Sequence, residues 1–258
     1  MTTVRVLPGA KPVEQFELRL GDDALLLSHR LAQQLGHTPD PEAETALAGI
    51  RDDLLGQAGW LLAVAGRSTA HCRDELAYGR TDREYRNALL VELPNGGFAH
   101  TVIRLLFYSA YQSLLFRTLA HSVDADLAAF AGKAVHEAEY HREYAAGWTR
   151  RLGDGTEEEH DCAAAAVAQL WPYTAELFAA DELMEALVAQ GVVAEPGMLQ
   201  AQWTELVADQ LAQATLGPAP SSAARRPGGG RSGVHTEALA HLLAEMQSAH
   251  RALPGAVR

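Results

Sequence analysis

Residues 126–152 read DLAAFAGKAVHEAEYHREYAAGWTRRL, and this stretch decides how the rest of the chain is interpreted. Its apolar positions are three, four or seven residues apart, so they fall on one face of a helix. They are Ala128, Ala131, Val135, Ala138, Ala145, Trp148 and Leu152. His141 lies on the same face, and Glu137 precedes it by one helical turn. A carboxylate and an imidazole pointing into a helical bundle are the kind of groups with which ferritin-like proteins hold metal ions.

Composition excludes several classes of protein. A hydrophobic content of 48% excludes a mostly disordered chain, and 258 residues are expected to form one domain, residues 1–258. The net charge of −12 argues against a general nucleic-acid binder, because phosphate contacts need a basic face. The two cysteines, Cys72 and Cys162, show no metal-binding spacing and are expected to be buried free thiols.

Neither the first residues nor the most apolar stretch indicates a membrane. The N-terminus has no apolar core of a signal peptide. Residues 98–119 are the most apolar, but they include His100, Arg104 and Arg117, which are costly in a bilayer. We therefore expect a soluble, cytoplasmic protein.

Helical periodicity predicts four long core helices, at residues 14–36, 41–65, 98–122 and 126–152. Gly36 is expected to end the first, Asp40 to cap the second, and Pro41 to occupy its first position. Two helical hairpins joined by a long crossover give the topology of an all-α, ferritin-like bundle. The crossover should contain one short helix near residues 82–92. Additional C-terminal helices are predicted at residues 157–190, with a kink at Pro172, and at 196–216 and 236–253.

The residues of a di-iron centre are incomplete in this sequence. Such a centre needs one glutamate from each of two helices and an E-x-x-H pair from each of the other two. On the second helix Asp53 is followed three residues later by Gly56 instead of histidine. On the fourth helix Glu137 is followed at that spacing by Tyr140, and His141 comes one residue late, which is about 100° of rotation.

E-x-x-H itself occurs once, at residues 157–160. It lies in the charged run TEEEHD, where three glutamates favour a solvated helix start.

Two interpretations of Asp53, Glu137 and His141 are open. They are a residual metal site, or they are a polar cluster that satisfies itself by hydrogen bonds inside the bundle. We favour the second, and with it the expectation that the chain has no metal site, no cofactor and no catalytic residue of its own.

Several stretches carry a resemblance to a known family. They are LRLGDDALLLSHRL at residues 18–31, DLLGQA at 53–58, LLVELPNGGFAHT at 89–101, TAELFAADE at 174–182 and GVHTEALAHLLAEMQ at 233–247. In this order they resemble the C subunits of bacterial phenylacetyl-CoA epoxidases, and the resemblance covers nearly the whole chain. The LLVE-PNG-F segment is the most specific of them.

The resemblance implies a ferritin-like, non-catalytic structural subunit. Its partner would be the related A component, which is the catalytic one and carries the di-iron centre. The complete enzyme would use dioxygen, with electrons from an NADPH-dependent iron–sulfur flavoprotein reductase, to convert the ring of a coenzyme A thioester to an epoxide. Contacts with further epoxidase subunits and with the reductase are expected as well.

Two further predictions concern surfaces. The family is glycine-rich and basic before the last helix, where this chain has Arg225, Arg226 and Arg231 around three glycines. Arginines and mobile backbone amides suit the phosphates of coenzyme A, so we hypothesise that this loop helps to hold coenzyme A or shields the substrate channel of the catalytic subunit; an ordinary surface loop is the alternative. The apolar third helix suggests association, and its rings Phe107, Tyr108 and Tyr111 are the predicted interface with the catalytic partner.

The competing hypothesis is a divergent di-metal oxidase that is active by itself. It would use Asp53, Glu137 and His141 with Asp22 or Glu182 as further ligands, and it predicts iron in the isolated chain. A ferritin-like storage protein would need a ferroxidase centre and a self-assembling shell, which the sequence does not indicate.

Overall fold

The protein is built from helices. A computed structural model describes residues 7, 9–69, 71–217 and 228–252, without the side chains of residues 249 and 251. Throughout these residues the regular structure is α-helix and short 3-10 helix, without a β-strand, which confirms the all-α class. No helix within the same ranges is long and apolar enough to span a membrane. Residues 1–35, 40–94 and 228–258 form one compact unit, unit 1, and residues 36–39 and 95–227 form another, unit 2.

Unit 1 begins with a hairpin of α1 (Pro12–Gln34) and α2 (Pro41–Ala65). The predicted signals at its turn are confirmed: Gly36 has a φ of +81°, and the Asp40 carboxylate accepts a 2.7 Å bond from the Ala43 amide. Gly21 permits a close approach of the two helices, because a Cβ there would lie 2.9 Å from Leu62. The apolar face of α2 is buried, at Leu47, Ile50, Leu54, Leu61 and Ala65.

The crossover in unit 1 differs from the prediction of one short helix. It contains α3 (Arg73–Tyr78), which the sequence did not indicate, then a 3-10 turn (Asp82–Glu84) and α4 (Leu89–Glu92). The predicted helix is interrupted because backbone amides of the intervening residues donate to side chains of α1. The amides of Arg86 and Ala88 donate to the carboxylates of Asp22 and Asp23, at 2.7 Å each. The C-terminal part of unit 1 contains a 3-10 turn (Gly230–Ser232), α10 (Glu237–Met246) and α11 (Ser248–Ala252).

Unit 2 also starts with a hairpin, of α5 (Phe98–Leu119) and α6 (Ala125–Gly153). It continues with α7 (Glu157–Leu170), a 3-10 segment (Trp171–Phe178), α8 (Glu182–Ala189) and α9 (Pro196–Gln213). The predicted interruption at Pro172 is confirmed, since α7 ends two residues before this proline. A proline lacks the amide that an α-helix would need at that point.

The core of unit 2 is an aromatic cluster around Trp203, which is 2% exposed. Its indole ring lies 5.7 Å from Phe107, 5.4 Å from Trp171 and 5.5 Å from Phe178, measured between ring centroids. Its Nε1–H donates to the carbonyl oxygen of Phe107 at 2.9 Å. The cluster explains why α5 is apolar nearly all round: the apolar surface of α5 is used inside the protein.

This packing corrects the predicted partner interface. Phe107, Tyr108 and Tyr111 are all buried in the chain, with Tyr111 stacked edge-on against Phe178 at 5.4 Å. Buried rings present no surface to another subunit.

The expectation of buried thiols is also wrong, because Cys72 and Cys162 are both free and exposed. Cys72 directly precedes α3, and Cys162 lies on the outer side of α7.

Candidate functional site

The three predicted degenerate metal positions lie on two helices. Glu137 and His141 are on α6 in unit 2, where His141 is completely buried and Glu137 is half-buried one turn earlier. Asp53 is half-buried on α2 in unit 1, one turn before the buried Gln57. Among the described residues there is no group of three or more histidine, cysteine, aspartate or glutamate side chains that could hold a metal ion. The assignment of these three positions to one polar cluster stays a prediction.

The E-x-x-H run forms the start of α7, as the sequence predicts. The Thr156 hydroxyl accepts a bond from the Glu159 amide at 3.2 Å, and the Glu159 carboxylate accepts from the Thr156 amide at 2.8 Å. His160 has its Nε2 3.2 Å from the carbonyl oxygen of Thr215. The glutamates of the run are exposed. These groups therefore cap a solvated helix end, and Glu159 is used in a reciprocal capping box.

The largest concentration of buried charge is in unit 1, and the sequence reasoning missed it as a group. Its centre is an aspartate doublet on α1, Asp22 and Asp23, whose side chains are both completely buried. Asp22 forms a bidentate ion pair with Arg80, which is 7% exposed, with one contact of 3.0 Å. Both oxygens of Asp22 are therefore engaged by a guanidinium, which leaves it poorly suited to the ligand role considered for it above. We call Asp22, Asp23, Arg80, Glu92, Arg231 and His235 the polar core.

Asp23 is paired with Arg231 from the C-terminal part of the chain. The two guanidinium contacts measure 2.7 and 3.0 Å, and Arg231 also donates to the carbonyl oxygen of Arg86 at 2.8 Å. Burial raises the pKa of the Asp23 carboxyl to about 6, against the opposing effect of the Arg231 guanidinium. The cost of removing this carboxylate from water therefore exceeds what its ion pair returns.

Glu92 is the third buried carboxylate of the polar core. One of its oxygens accepts from the Thr236 amide at 2.6 Å, and the other lies 2.8 Å from Asn87 Nδ2 and 2.7 Å from His235 Nδ1. Arg30 on α1 donates to its main-chain carbonyl oxygen at 2.5 Å. Glu92 is the glutamate of the LLVE segment, so the most specific stretch of the sequence supplies a buried anchor.

Of the three predicted thioester-binding arginines, the structure describes one. Arg231 is 11% exposed and bound to Asp23, so its guanidinium is already occupied inside unit 1. Arg225 and Arg226 lie outside the described residues. Glu182, considered above as a ligand of a divergent centre, is exposed at the N-terminus of α8.

The buried carboxylates of the polar core can be compared with the ligands that a di-iron centre requires. Such a centre needs several buried carboxylates that are open toward a common point, with histidines beside them. Asp22, Asp23 and Glu92 are each turned to arginines, amides or His235 instead. The buried carboxylates of the polar core therefore do not fit a metal pair.

Comparison with known proteins identifies the family. The sequence profile of the family described as phenylacetic acid catabolic protein matches residues 9–257. The chain belongs to this family. It is 44% identical over 241 residues to the C subunit of the 1,2-phenylacetyl-CoA epoxidase of Escherichia coli (strain K12), a match that spans 93% of this chain and 96% of the relative. The resemblance drawn from the sequence is confirmed, and the phenylacetic acid catabolic protein family accounts for the ferritin-like helical fold class. In this member, two of the stretches that carry the resemblance contribute Asp22, Asp23 and Glu92 to the polar core.

Proposed function

We propose that this chain is the structural, non-catalytic subunit of a phenylacetyl-CoA ring-1,2-epoxidase, and that it pairs with the di-iron catalytic A component in aerobic phenylacetate degradation. The observation that carries the proposal is the 44% identity to the C subunit of an epoxidase, along almost the full length of both chains. Similarity of that extent goes with a common place in an assembly, more than with a shared fold alone.

The chemistry of the buried carboxylates supports the non-catalytic role. Asp22 and Asp23 neutralise Arg80 and Arg231, and the single E-x-x-H caps the exposed end of α7. Histidine is missing from the sequence at the position where α2 would need it, three residues after Asp53. A helical chain whose buried aspartates are paired with its own arginines suits a structural role.

The proposed division of labour assigns the redox chemistry to the other subunits. The catalytic partner holds the iron pair and the thioester, and an NADPH-dependent iron–sulfur flavoprotein reductase supplies electrons. This chain contributes no cofactor and stabilises the catalytic partner by association, through a surface other than Phe107, Tyr108 and Tyr111.

Metal content tests the proposal directly. The chain is purified alone and together with its catalytic partner, and iron is counted per chain in each preparation. We expect iron in the complex and none in the isolated chain. Close to two irons per isolated chain would overturn the scaffold role and favour the divergent di-metal oxidase.

A variant series separates ligands from bystanders at the degenerate positions. Asp53→Asn, Glu137→Gln and His141→Gln each keep the size of the side chain and alter its charge or its metal-binding nitrogen. The reconstituted complex should keep its iron and its epoxidation rate within about twofold, because a bystander contributes no transition-state stabilisation. Loss of iron in any of the three, with the complex still assembled, would contradict the proposal.

The thioester contact is proposed for Arg225 and Arg226 only, since Arg231 is bound to Asp23. Replacing both by alanine should raise the KM of the complex for the thioester and leave kcat unchanged, as expected for lost ground-state binding. If KM does not change, the loop is an ordinary surface segment.

A further inference from the structure

The C-terminal residues 228–247 belong to unit 1 but are separated in the sequence from its residues 1–35 and 40–94 by residues 95–227 of unit 2. We call them the strap. The strap packs on unit 1 with an apolar face and with polar anchors. Leu239, Leu242 and Leu243 are buried, and Gln247 donates to the carbonyl oxygen of Arg80 at 2.8 Å. Its contacts with α1 and with residues 80–92 resemble those of a bound peptide.

Two glycines allow the strap to lie directly on the backbone of residues 80–92. A Cβ on Gly230 would meet the carbonyl oxygen of Asn87 at 2.1 Å, which no side chain could accommodate. Gly233 has a φ of +78°, and a Cβ there would lie 2.4 Å from the carbonyl oxygen of Arg83. The GGGRSG run is therefore explained by close backbone contact inside unit 1.

His235 is the anchor whose protonation can be deduced from its partners. Its Nε2 lies 3.1 Å from the carbonyl oxygen of Tyr85, which can only accept, so this nitrogen must donate. Its Nδ1 lies 2.7 Å from Glu92 Oε2. Glu92 also receives hydrogen bonds from Asn87 and Thr236. Both ring nitrogens of His235 thus face an oxygen atom, an arrangement that suits a ring protonated at both nitrogens.

Charged groups near His235 come from the elements packed against it. Glu92 on α4 is the anion in contact, and Arg30 on α1 reaches the main-chain oxygen of Glu92 and that of Ala238 in the strap. Four residues before His235 in the strap, Arg231 is paired with Asp23. Both anchors thus place a basic side chain of the strap against a completely buried carboxylate of α1 or α4.

We propose that the strap is a separable element that docks on the rest of unit 1 through two basic anchors, Arg231 and a doubly protonated His235. The receptor is formed by Asp23, Glu92 and the carbonyl oxygen of Tyr85. Undocking leaves Asp23 and Glu92 without their side-chain partners from the strap. This inference does not depend on the proposed function.

Cleavage of the full chain tests whether the strap is held by these anchors. A recognition sequence for a site-specific protease is inserted between Ser221 and Ser222, and the cut protein is passed through gel filtration at pH 7.5. The C-terminal fragment, which contains the strap, should elute together with the N-terminal fragment. Arg231→Ala and His235→Gln should each raise its dissociation constant roughly 10- to 100-fold, the usual range for a lost charged hydrogen bond.

His241→Gln is the matched control, because it makes the same change on an exposed position of α10. It should leave the dissociation constant unchanged. Equal release in His235→Gln and His241→Gln would overturn the proposal, and so would immediate loss of the fragment from the cut unmodified chain. Circular dichroism of the uncut variants verifies that each variant is folded.

The protonation of His235 has its own measurement on the unmodified chain. Imidazole ¹⁵N chemical shifts at pH 7.5 should give two protonated ring nitrogens for His235. A single protonated nitrogen in His235 would overturn the cationic anchor.

Discussion

The two units of this protein reach a buried core by opposite means. Unit 1 buries paired charges, with Asp22 and Asp23 completely enclosed against Arg80 and Arg231. Unit 2 buries aromatic rings around Trp203, and its indole N–H is satisfied by a main-chain oxygen. Ion pairs in a core need a specific partner at a specific place, whereas apolar packing tolerates a substitute of similar volume. The stability of unit 1 should therefore depend on individual residues, and the stability of unit 2 on the total volume of its buried side chains.

The largest expected effect comes from breaking one ion pair of unit 1. Arg80→Met keeps most of the side-chain length but leaves Asp22 as an uncompensated buried charge. The free energy of unfolding should fall by about 3–5 kcal/mol, which denaturant titration measures.

Arg117→Met is the control for this change, because its ion pair with Glu139 is exposed, at 62% and 34% for the two side chains. It should cost less than about 1 kcal/mol. Similar losses in the two variants would refute the contrast between a buried and an exposed pair.

The second prediction uses the pH dependence of Asp23. Its carboxyl has a pKa of about 6 in the folded protein and 3.8 as the ordinary value, so between these values the folded chain binds more protons than the unfolded chain. Stability from this group is therefore present at low pH and is lost as the pH rises through about 6. Relative to Asp23→Asn, the chain should lose about 2 kcal/mol between pH 4.5 and 7, measured by urea unfolding. If the unmodified chain instead gains stability relative to Asp23→Asn as the pH rises, the ion pair with Arg231 outweighs the cost of burying Asp23.

The tolerance of unit 2 is tested with Trp203→Phe. The change removes the hydrogen bond to the carbonyl oxygen of Phe107 and some volume, but it keeps a ring against Trp171 and Phe178. We expect a loss of about 1–2 kcal/mol. Trp148→Phe, at a half-buried ring under Arg151, should cost less than about 1 kcal/mol. A loss as large as that of Arg80→Met would mean that unit 2 is as specific as unit 1.

The smallest effect is expected at the solvated start of α7. Thr156→Ala removes the hydroxyl that accepts from the Glu159 amide and should cost about 1 kcal/mol. Amide hydrogen exchange should become faster in the first turn of α7 and stay unchanged in α5. Thr204→Ala, an exposed threonine inside α9, serves as the comparison and should change stability by less than about 0.5 kcal/mol. Equal destabilisation by the two would remove the capping role of Thr156.

Local signals made most of the fold predictable. Asp40 and Pro41 mark the start of α2, and Pro172 marks the end of α7, because capping and proline geometry act within a few residues. The crossover was predicted less well. The amides of Arg86 and Ala88 bond to side chains 64 and 65 residues away, and this competes with helix formation at a distance that periodicity does not register.

The candidate site was less predictable for the same reason. The ion pair of Asp22 and Arg80 joins residues 58 apart, and that of Asp23 and Arg231 joins residues 208 apart. The available signal was a pair of aspartates directly before the apolar run of residues 24–27, which indicates buried partners but does not identify them. The aromatic residues of α5 were predicted to be a partner interface, because periodicity could not tell such an interface from a core formed with Trp203.

The discontinuity of unit 1 has a consequence during synthesis. Glu92 and His235 are 143 residues apart, so at about 5–20 residues per second the ribosome needs roughly 7–30 s to deliver the second after the first. During that interval unit 2 can emerge and fold. Asp23 and Glu92 have no partners from the strap during this time, because Arg231 and His235 have not yet been synthesised. Unit 1 is thus completed last, although it contains the first helix of the chain, and a ribosome that stops early releases a protein in which Asp23 and Glu92 lack their partners Arg231 and His235.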